Sequence, residues 1–367
     1  MINGCDMKWL QCAASLAERG RGRVRPNPMV GCVLVKEERL VGQGWHADYG
    51  GPHAEVAAIE SATESVRGST AYVTLEPCNH QGMTPPCSEH LIKKGIRKLF
   101  YGAAEPTEMA RGGGDRLKDS GVDVYGPMND FQISEGVDPA FFFTSKHERT
   151  YLALKLAISA DDMIASKRGG RTFLTGDESN KEVHRLRSGF DAIVIGSNTA
   201  RIDDPLLTVR DLPHAPRIQP TKVILSSDGN VSPGSRLFDS IDTTPVLVIV
   251  TKAASPDRVT ALEYSGARVE SLSSLDDKID LKEAMKLMWD LGLKSVLCEG
   301  GAQLSEAFCR NNLAQRVYLF RNPAVLGPEA VPSYPAETAP WYSTKWSPRG
   351  DSRNFGRDKF TIYDREI

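Results

Sequence analysis

The chain has 367 residues, 40% hydrophobic and 25% charged, with a formal net charge of -2. Such a composition belongs to an ordinary globular protein long enough for two domains, and its slightly acidic balance gives no footprint for nucleic acid. No apolar run approaches the roughly eighteen residues that could span a bilayer. Seven cysteines, an odd number in a chain too large to need covalent staples, favour a reducing, cytoplasmic setting.

The first twenty residues lack the basic region, apolar core and cleavage site of a signal peptide. Asp6 ahead of Met7, Leu10, Ala14 and Ala17 predicts a capped amphipathic helix over Met7–Glu18. Strand-like runs follow at Val30–Val35, Leu40–Trp45, Thr70–Leu75, Lys98–Tyr101 and Val122–Tyr125. Helix-like runs lie between them at Glu55–Ala62, Ser88–Lys94 and Asp115–Ser120. This alternation predicts an α/β domain with helices on both faces of a sheet. A looser, aromatic stretch from Asn129 to Arg149 ends it, placing the boundary near residue 147 and the two domains at 1–147 and 148–367.

The second half restarts with a strand at Thr150–Ser159 and continues with apolar runs at Ala192–Ile195, Lys222–Leu225, Val246–Val250 and Ser295–Cys298. Leu281, Ala284, Met285, Met288 and Leu291 have helical spacing. This half also reads as α/β. The Pro-, Ser- and Gly-rich tail from Ser333 to Asp358 reads as loop, with Phe360–Tyr363 as a closing strand.

One constellation carries chemistry. His53-Ala54-Glu55 follows Gly50-Gly51-Pro52 at the front of an apolar helical run. Residues two apart inside a helix point to nearly opposite sides, but at the first turn the entering residue need not have helical dihedrals. His53 and Glu55 can therefore share a task there. Further on come Cys78 after Pro77 and Cys87 after Pro86. One imidazole nitrogen and two sulfurs form the donor set that Zn²⁺ prefers, and three protein ligands leave a fourth position open, as catalytic zinc requires. Zinc lowers the pKa of bound water from about 15.7 to about 7, and Glu55 is placed to shuttle the proton. The arrangement matches the zinc nucleobase deaminases, except that the two cysteines are nine apart instead of three. A closed structural site with His80 as fourth ligand is the competing reading, and it leaves Glu55 without a task.

The signals in the second half are weaker. Cys298-Glu299-Gly300-Gly301 reads as strand, turn and helix start, where backbone N–H groups can approach a phosphate. Asp203-Asp204-Pro205 is a common turn, and Gly112–Gly114 reads as loop.

Pro26–Val35 (PNPMVGCVLV), Gly42–Glu55 (GQGWHADYGGPHAE) and Thr74–Cys87 (TLEPCNHQGMTPPC) closely resemble the deaminase half of the bifunctional deaminase–reductases of riboflavin biosynthesis. Leu154–Asp162, Thr172–Gly176, Glu182–Thr199, the Asp-Asp-Pro stretch and Glu299–Gly301 resemble the reductase half in order. The resemblance implies a cytidine-deaminase-like three-layer α/β/α domain followed by a dihydrofolate-reductase-like domain. It implies deamination of a diaminopyrimidinone carrying a ribosylamino phosphate, then NADPH-dependent reduction of its ribose to ribityl. His53, Cys78 and Cys87 would hold zinc, Glu55 would be catalytic, and Asn27 and His46 would contact the pyrimidine. In the reductase, Lys155, Thr175, Arg187, Leu207, Arg210 and Glu299 would face the substrate. Ala157, Phe173, Thr199, Asp203, Ser227 and Gly301 would lie along NADPH. A homo-oligomer is implied, with a small-molecule substrate and neither nucleic acid nor membrane as partner.

Several positions depart from the family. Met83 and Gly113 stand where a basic residue is usual, and Glu105-Pro106-Thr107 replaces Asp-Pro-Asn. In the reductase, Ser159-Ala160-Asp161-Asp162 replaces Ser-Leu-Asp-Gly, and Phe173 replaces a tryptophan. These changes motivate the alternative of a paralogue with the same two chemistries on a related pyrimidine or purine.

Overall fold

In β1 (Gly31–Lys36), Cys32 and Leu34 alternate with Val33 and Val35, so the strand presents an apolar row to each face. Both rows are covered, which makes three layers. The computed structural model describes residues 4–82, 85–128, 130–133, 135–275, 277–335 and 338–366. It divides into units Met1–Glu148 and Arg149–Ile367.

In the first unit, α1 (Gly4–Ala17) precedes β1 and β2 (Arg39–Trp45), and α2 (Ala54–Glu60) precedes β3 (Thr70–Leu75). Next come α3 (Cys87–Lys93), β4 (Lys98–Ala103), α4 (Gly113–Asp119), β5 (Asp123–Tyr125) and α5 (Pro139–His147). The sheet order is β2-β1-β3-β4-β5, with β1 antiparallel to β2 and β3 and the last three strands parallel. Leu10, Ala13 and Leu16 of α1 pack on Val33, Val35, Tyr72 and Phe100. On the opposite face Ala54, Ala58, Leu91 and Leu117, from α2, α3 and α4, pack on Cys32, Leu34, Val73 and Leu99.

Two expectations change here. Asp6 does not cap α1: the helix begins at Gly4, and the buried Asp6 carboxylate instead accepts the Tyr72 hydroxyl at 2.7 Å. The stretch read as loose contains α5, started by Asp138, whose side chain accepts the Phe141 N–H, and by a proline at the first helical position. Those are ordinary helix-start signals that the aromatic run obscured.

The second unit opens with β6 (Tyr151–Ile158), β7 (Met163–Ala165), α6 (Asp177–Ser188), β8 (Ala192–Gly196) and α7 (Ser197–Asp203). It continues with β9 (Thr221–Leu225), β10 (Val246–Thr251), α8 (Pro256–Tyr264), β11 (Arg268–Leu272), β12 (Ser274–Leu275) and β13 (Lys278–Ile279). Then follow α9 (Leu281–Asp290), β14 (Ser295–Cys298), α10 (Ala302–Arg310), β15 (Arg316–Arg321) and β16 (Val331–Pro332). It ends with β17 (Trp346–Pro348), β18 (Arg353–Phe355) and β19 (Asp358–Arg365).

The main sheet runs β11-β10-β9-β8-β14-β6-β15-β19-β17, with β18 also on β19. It is parallel from β11 to β15, and β19 returns antiparallel. Its strands read as apolar runs because both faces are covered. Leu152, Leu154, Leu156 and Ile158 meet Ala284, Met288 and Phe308 on one side. Ile193, Ile195, Val248 and Val250 meet Ala200 and Leu262 on the other.

The sequence reading names no strand between Cys298 and Phe360, yet β15 is paired on both edges. Its charged ends hid it. Arg316 stands opposite Asp364 of β19, and the two buried side chains form a bidentate pair at 2.6 and 2.8 Å. Breaking such a pair strands a buried charge, which costs about 3–5 kcal/mol. Asp364→Asn should therefore lower the stability of the second unit by about that amount in denaturant melts, with the first unit's transition unchanged.

Candidate active sites

His53 caps α2 with extended dihedrals, φ −69° and ψ 161°, and Glu55 is the helix's second residue. The turn from extended to helical backbone brings both side chains to one place. Cys87 is the first residue of α3, and its N–H donates to Cys78 Sγ at 3.4 Å. His53 Nδ1 lies 3.3 Å from Cys87 Sγ and 3.6 Å from Cys78 Sγ. A tetrahedral ion about 2.3 Å from sulfur and about 2.0 Å from nitrogen sets such donors about 3.6 Å apart. The triad is therefore able to hold a metal ion, and all its donor atoms lie within 4.8 Å of one another. Among the described residues His80 is not part of this cluster, so the closed four-ligand alternative has no fourth donor here.

Of the two thiols, Cys78 is the more acidic. The hydrogen bond from the Cys87 thiol holds it down to about 4 despite burial, with the His53 ring and the Cys87 N–H adding to the effect. The same bond and its own burial push Cys87 up. Glu55 is 3% exposed, and burial raises its carboxyl above the usual range, with the Cys78 charge acting the same way. A carboxyl moved toward neutrality is suited to taking up and returning a proton.

Asn27 and His46 come together at this site. His46 is buried; its Nδ1 donates to the Pro52 carbonyl at 2.9 Å, and the Asn27 amide lies 3.1 Å from Nε2. Desolvation holds the imidazole below its ordinary pKa, so it is neutral and accepts from Asn27. Its ring lies edge-on to that of His53 at 5.6 Å.

Two of the sequence's departures have packing reasons. A Cβ on Gly113 would lie 1.8 Å from the Pro77 carbonyl oxygen, so no side chain fits at that position whatever the substrate. Glu105 accepts the Thr107 N–H at 3.0 Å and hydroxyl at 2.6 Å, closing its own turn. Arg111, two residues before Gly113, is exposed and paired with Glu108 at 2.9 Å. Met83 lies outside the described residues. A residue the sequence reading missed organises this wall: the Glu76 carboxylate accepts the N–H groups of Glu105, Gly112 and Gly114 at 3.0–3.2 Å. Its position directly before Pro77-Cys78 was the available signal.

In the second unit, Lys155 and Ala157 alternate with the core-facing Leu154 and Leu156, which puts them on the opposite face of β6. Glu299 follows β14, next to β6 in the sheet. Arg187, in the last turn of α6, grips Glu299 at 2.5 and 3.0 Å and donates to the Thr208 carbonyl at 3.1 Å. Lys155 Nζ lies 3.9 Å from Glu299. Burial pushes the Glu299 carboxyl up, but the two cations outweigh it and hold it below the usual range. Burial draws the Lys155 ammonium down.

The Arg210 N–H donates to His184 Nδ1 at 3.4 Å. Leu207 has φ +49° and is 2% exposed, within the core. Thr175 bonds Asn180 at 3.1 Å. Thr199 Oγ1 accepts the Gly301 N–H at 3.1 Å, at the start of α10. The Asp203 carbonyl accepts from Arg171, and burial raises its carboxyl. Phe173 is 78% exposed, under the Arg171 guanidinium. The Ser227 carbonyl accepts the Thr251 N–H and hydroxyl.

A deaminase-type metal site in an α/β/α layer and a reductase-like α/β unit define a two-domain enzyme class. Residues 4–103 match the cytidine and deoxycytidylate deaminase zinc-binding region, and residues 150–347 match the RibD C-terminal domain. Riboflavin biosynthesis protein RibD of Chlamydia muridarum is 34% identical over 323 residues, covering 87% of this chain and 86% of the relative. That of Aquifex aeolicus is 34% identical, covering 89% of each. The structure of Acinetobacter baumannii RibD superposes with a TM-score of 0.79 at 30% identity, covering 99% of both chains. A Thermotoga maritima structure, described as a diaminohydroxyphosphoribosylaminopyrimidine deaminase/5-amino-6-(5-phosphoribosylamino)uracil reductase, gives 0.79 at 29% identity, covering 98% of this chain and 99% of that one. The chain belongs to the RibD family of riboflavin biosynthesis proteins.

Two measurements test these sites. Burial, with Arg187 and Arg210 nearby, holds His184 at about 4, against about 6.5 for an unperturbed imidazole. The unfolded chain thus takes up this proton first, and stability present above pH about 6.5 is lost on acidification toward pH 4. His184→Gln should lose less stability than the wild type between pH 7 and pH 4.5. Gly113→Ala should lower both melting temperature and bound metal, because the displaced Pro77 carbonyl adjoins Cys78.

Proposed function

We propose that the first site deaminates 2,5-diamino-6-(5-phosphoribosylamino)pyrimidin-4-one and that the second reduces the ribosyl group of the product to ribityl with NADPH. The observation that carries the reading is the convergence of His53, Cys78 and Cys87 beside the buried Glu55. The donor set and spacing fit zinc, which when bound there supplies water acidified to a pKa of about 7. Glu55 takes one proton from the attacking water to the ring nitrogen and carries the second to the departing amine, so ammonia leaves, a carbonyl remains and the carboxyl ends as it began. Asn27 holds the pyrimidine by hydrogen bonds, and the neutral His46 contacts the ring while fixing the Asn27 amide.

In the second site, Gly301 leaves the start of α10 open: a Cβ there would meet only Thr199 Oγ1, at 3.6 Å. That suits the close approach of a cofactor phosphate. Ala157, Phe173, Thr199, Asp203 and Ser227 complete the NADPH side. Lys155, Thr175, Arg187, Leu207, Arg210 and Glu299 face the sugar phosphate. Arg187 is committed to Glu299 and Thr208, so it orients the carboxylate, and Arg210, about half exposed, supplies the cation for phosphate. The packing reasons found for Gly113 and Glu105 remove two of the motives for a different substrate. The same reading makes the protein a cytoplasmic homo-oligomer; no described helix is long and apolar enough to cross a membrane.

Zinc-loaded protein given the diaminopyrimidinone should release ammonia without NADPH and oxidise NADPH once it is added. Glu55→Gln should keep its zinc yet lose ammonia release by about 100-fold or more, and still reduce pre-deaminated substrate at the wild-type rate. Absence of ammonia from a zinc-replete wild type would remove the substrate assignment.

A further inference from the structure

Asn27 sits between Pro26 and Pro28, neither of which has an N–H to donate. The loop bearing it therefore has few backbone groups with which to anchor itself. The Asn27 N–H closes a turn onto the Val24 carbonyl at 3.0 Å, which shapes the loop without attaching it to anything else. Ahead of this turn the Arg23 carbonyl accepts the Tyr49 N–H at 3.1 Å and its guanidinium pairs with Asp48; Asp138 attaches the Arg25–Met29 stretch itself. This aspartate is 3% exposed and accepts the Met29 N–H on Oδ2 at 3.2 Å. Its Oδ1 takes the Arg25 guanidinium at 3.3 Å and the Phe141 N–H, the start of α5, also at 3.3 Å. The two loop contacts are placed two residues before and two residues after Asn27. Val137 packs with Val24 and Met29, adding an apolar contact at the same spot.

We propose that Asp138 is a positioning residue for deamination, its carboxylate holding the Arg25–Met29 loop so that Asn27 meets His46 and the pyrimidine. The path is short. Met29 leads into Val30, whose carbonyl accepts the His46 N–H at 2.9 Å, and the Asn27 amide reaches His46 Nε2 at 3.1 Å. Asp138 lies between the stretches matched by the two families, 4–103 and 150–347, so the deaminase motif itself does not contain it. On this account α5 belongs to the substrate side of the deaminase. The inference rests on the assignment of Asn27 to the substrate made above.

A carboxylate can serve Met29 on one oxygen and Arg25 on the other, whereas an amide has a single acceptor. In the full-length, zinc-loaded chain, Asp138→Asn should raise the deaminase KM about tenfold with kcat within about twofold, the size of one lost charge-assisted hydrogen bond. Zinc content and the reductase rate on pre-deaminated substrate should stay at wild-type values. Hydrogen exchange of the 24–30 segment should accelerate, while exchange in β3 does not change. Placed in Asn27→Ala, the same substitution should add almost nothing, because the two residues act through one contact. Arg25→Gln removes one tether without touching the helix cap and should raise KM by a smaller factor; it serves if Asp138→Asn does not fold. Unchanged KM, unchanged exchange at 24–30, or effects that multiply independently in the double variant would each overturn the proposal. A wild-type chain that releases no ammonia overturns the Asn27 assignment on which it rests, whereas ammonia release with unaltered KM in Asp138→Asn overturns the positioning role alone.

Discussion

A helix can bring residues two apart to one point only at its ends, because only there is one of them free of helical dihedrals. The metal site depends on that constraint. His53 is extended and Glu55 helical, so the imidazole and the carboxyl meet at the mouth of α2. Cys87 opens α3 in the same way, and its N–H reaches the Cys78 sulfur. Ala54, Ala58 and Leu91 bury the two helices on one face of the sheet, which holds their starting ends at a common site. Helix starts also favour thiolate, since the dipole and the unpaired N–H groups stabilise negative charge there.

Carboxylates that accept backbone N–H groups do much of the remaining positioning. Glu76 gathers the N–H groups of Glu105, Gly112 and Gly114, and Asp138 takes the Met29 N–H and the Arg25 guanidinium. In the second unit Asp161 accepts the N–H groups of Leu326 and Gly327, and the Ser159 hydroxyl holds its pKa down to about 2 together with those two bonds. Each of these acids lies in or beside a loop poor in regular pairing. A charged acceptor can satisfy several backbone donors at once, which neutral side chains do less well.

The second site works differently. Its central acid, Glu299, is balanced by Arg187 and Lys155, so the buried group keeps its charge. The two arginines have different partners: Arg187 orients Glu299 from the end of α6, whereas Arg210 presents a half-exposed guanidinium that reaches Thr208 Oγ1 at 3.4 Å. Between them His184 is kept neutral and accepts the Arg210 N–H, an arrangement with no local sequence signature.

The zinc-type donor set, the acid beside it and the alternating layers of the first unit were legible from sequence alone. Their signals are local: residue type, two-residue or helical period, and proline or glycine punctuation. The helix α5 and the strand β15 were legible in principle and missed, one behind an aromatic run and the other behind its terminal arginines. What no local pattern contains is which distant groups share a bond. Asp6 reads as a cap until Tyr72 is placed against it, and Gly113 reads as a lost basic residue until the Pro77 carbonyl occupies its side-chain position. Asp138 and Met29 are 109 residues apart in the chain. Sequence by itself determined the chemistry and the layers, because propensity and donor type belong to single residues; tertiary structure decided which residues hold the site in place, because that depends on distances that exist only once the chain has closed on itself.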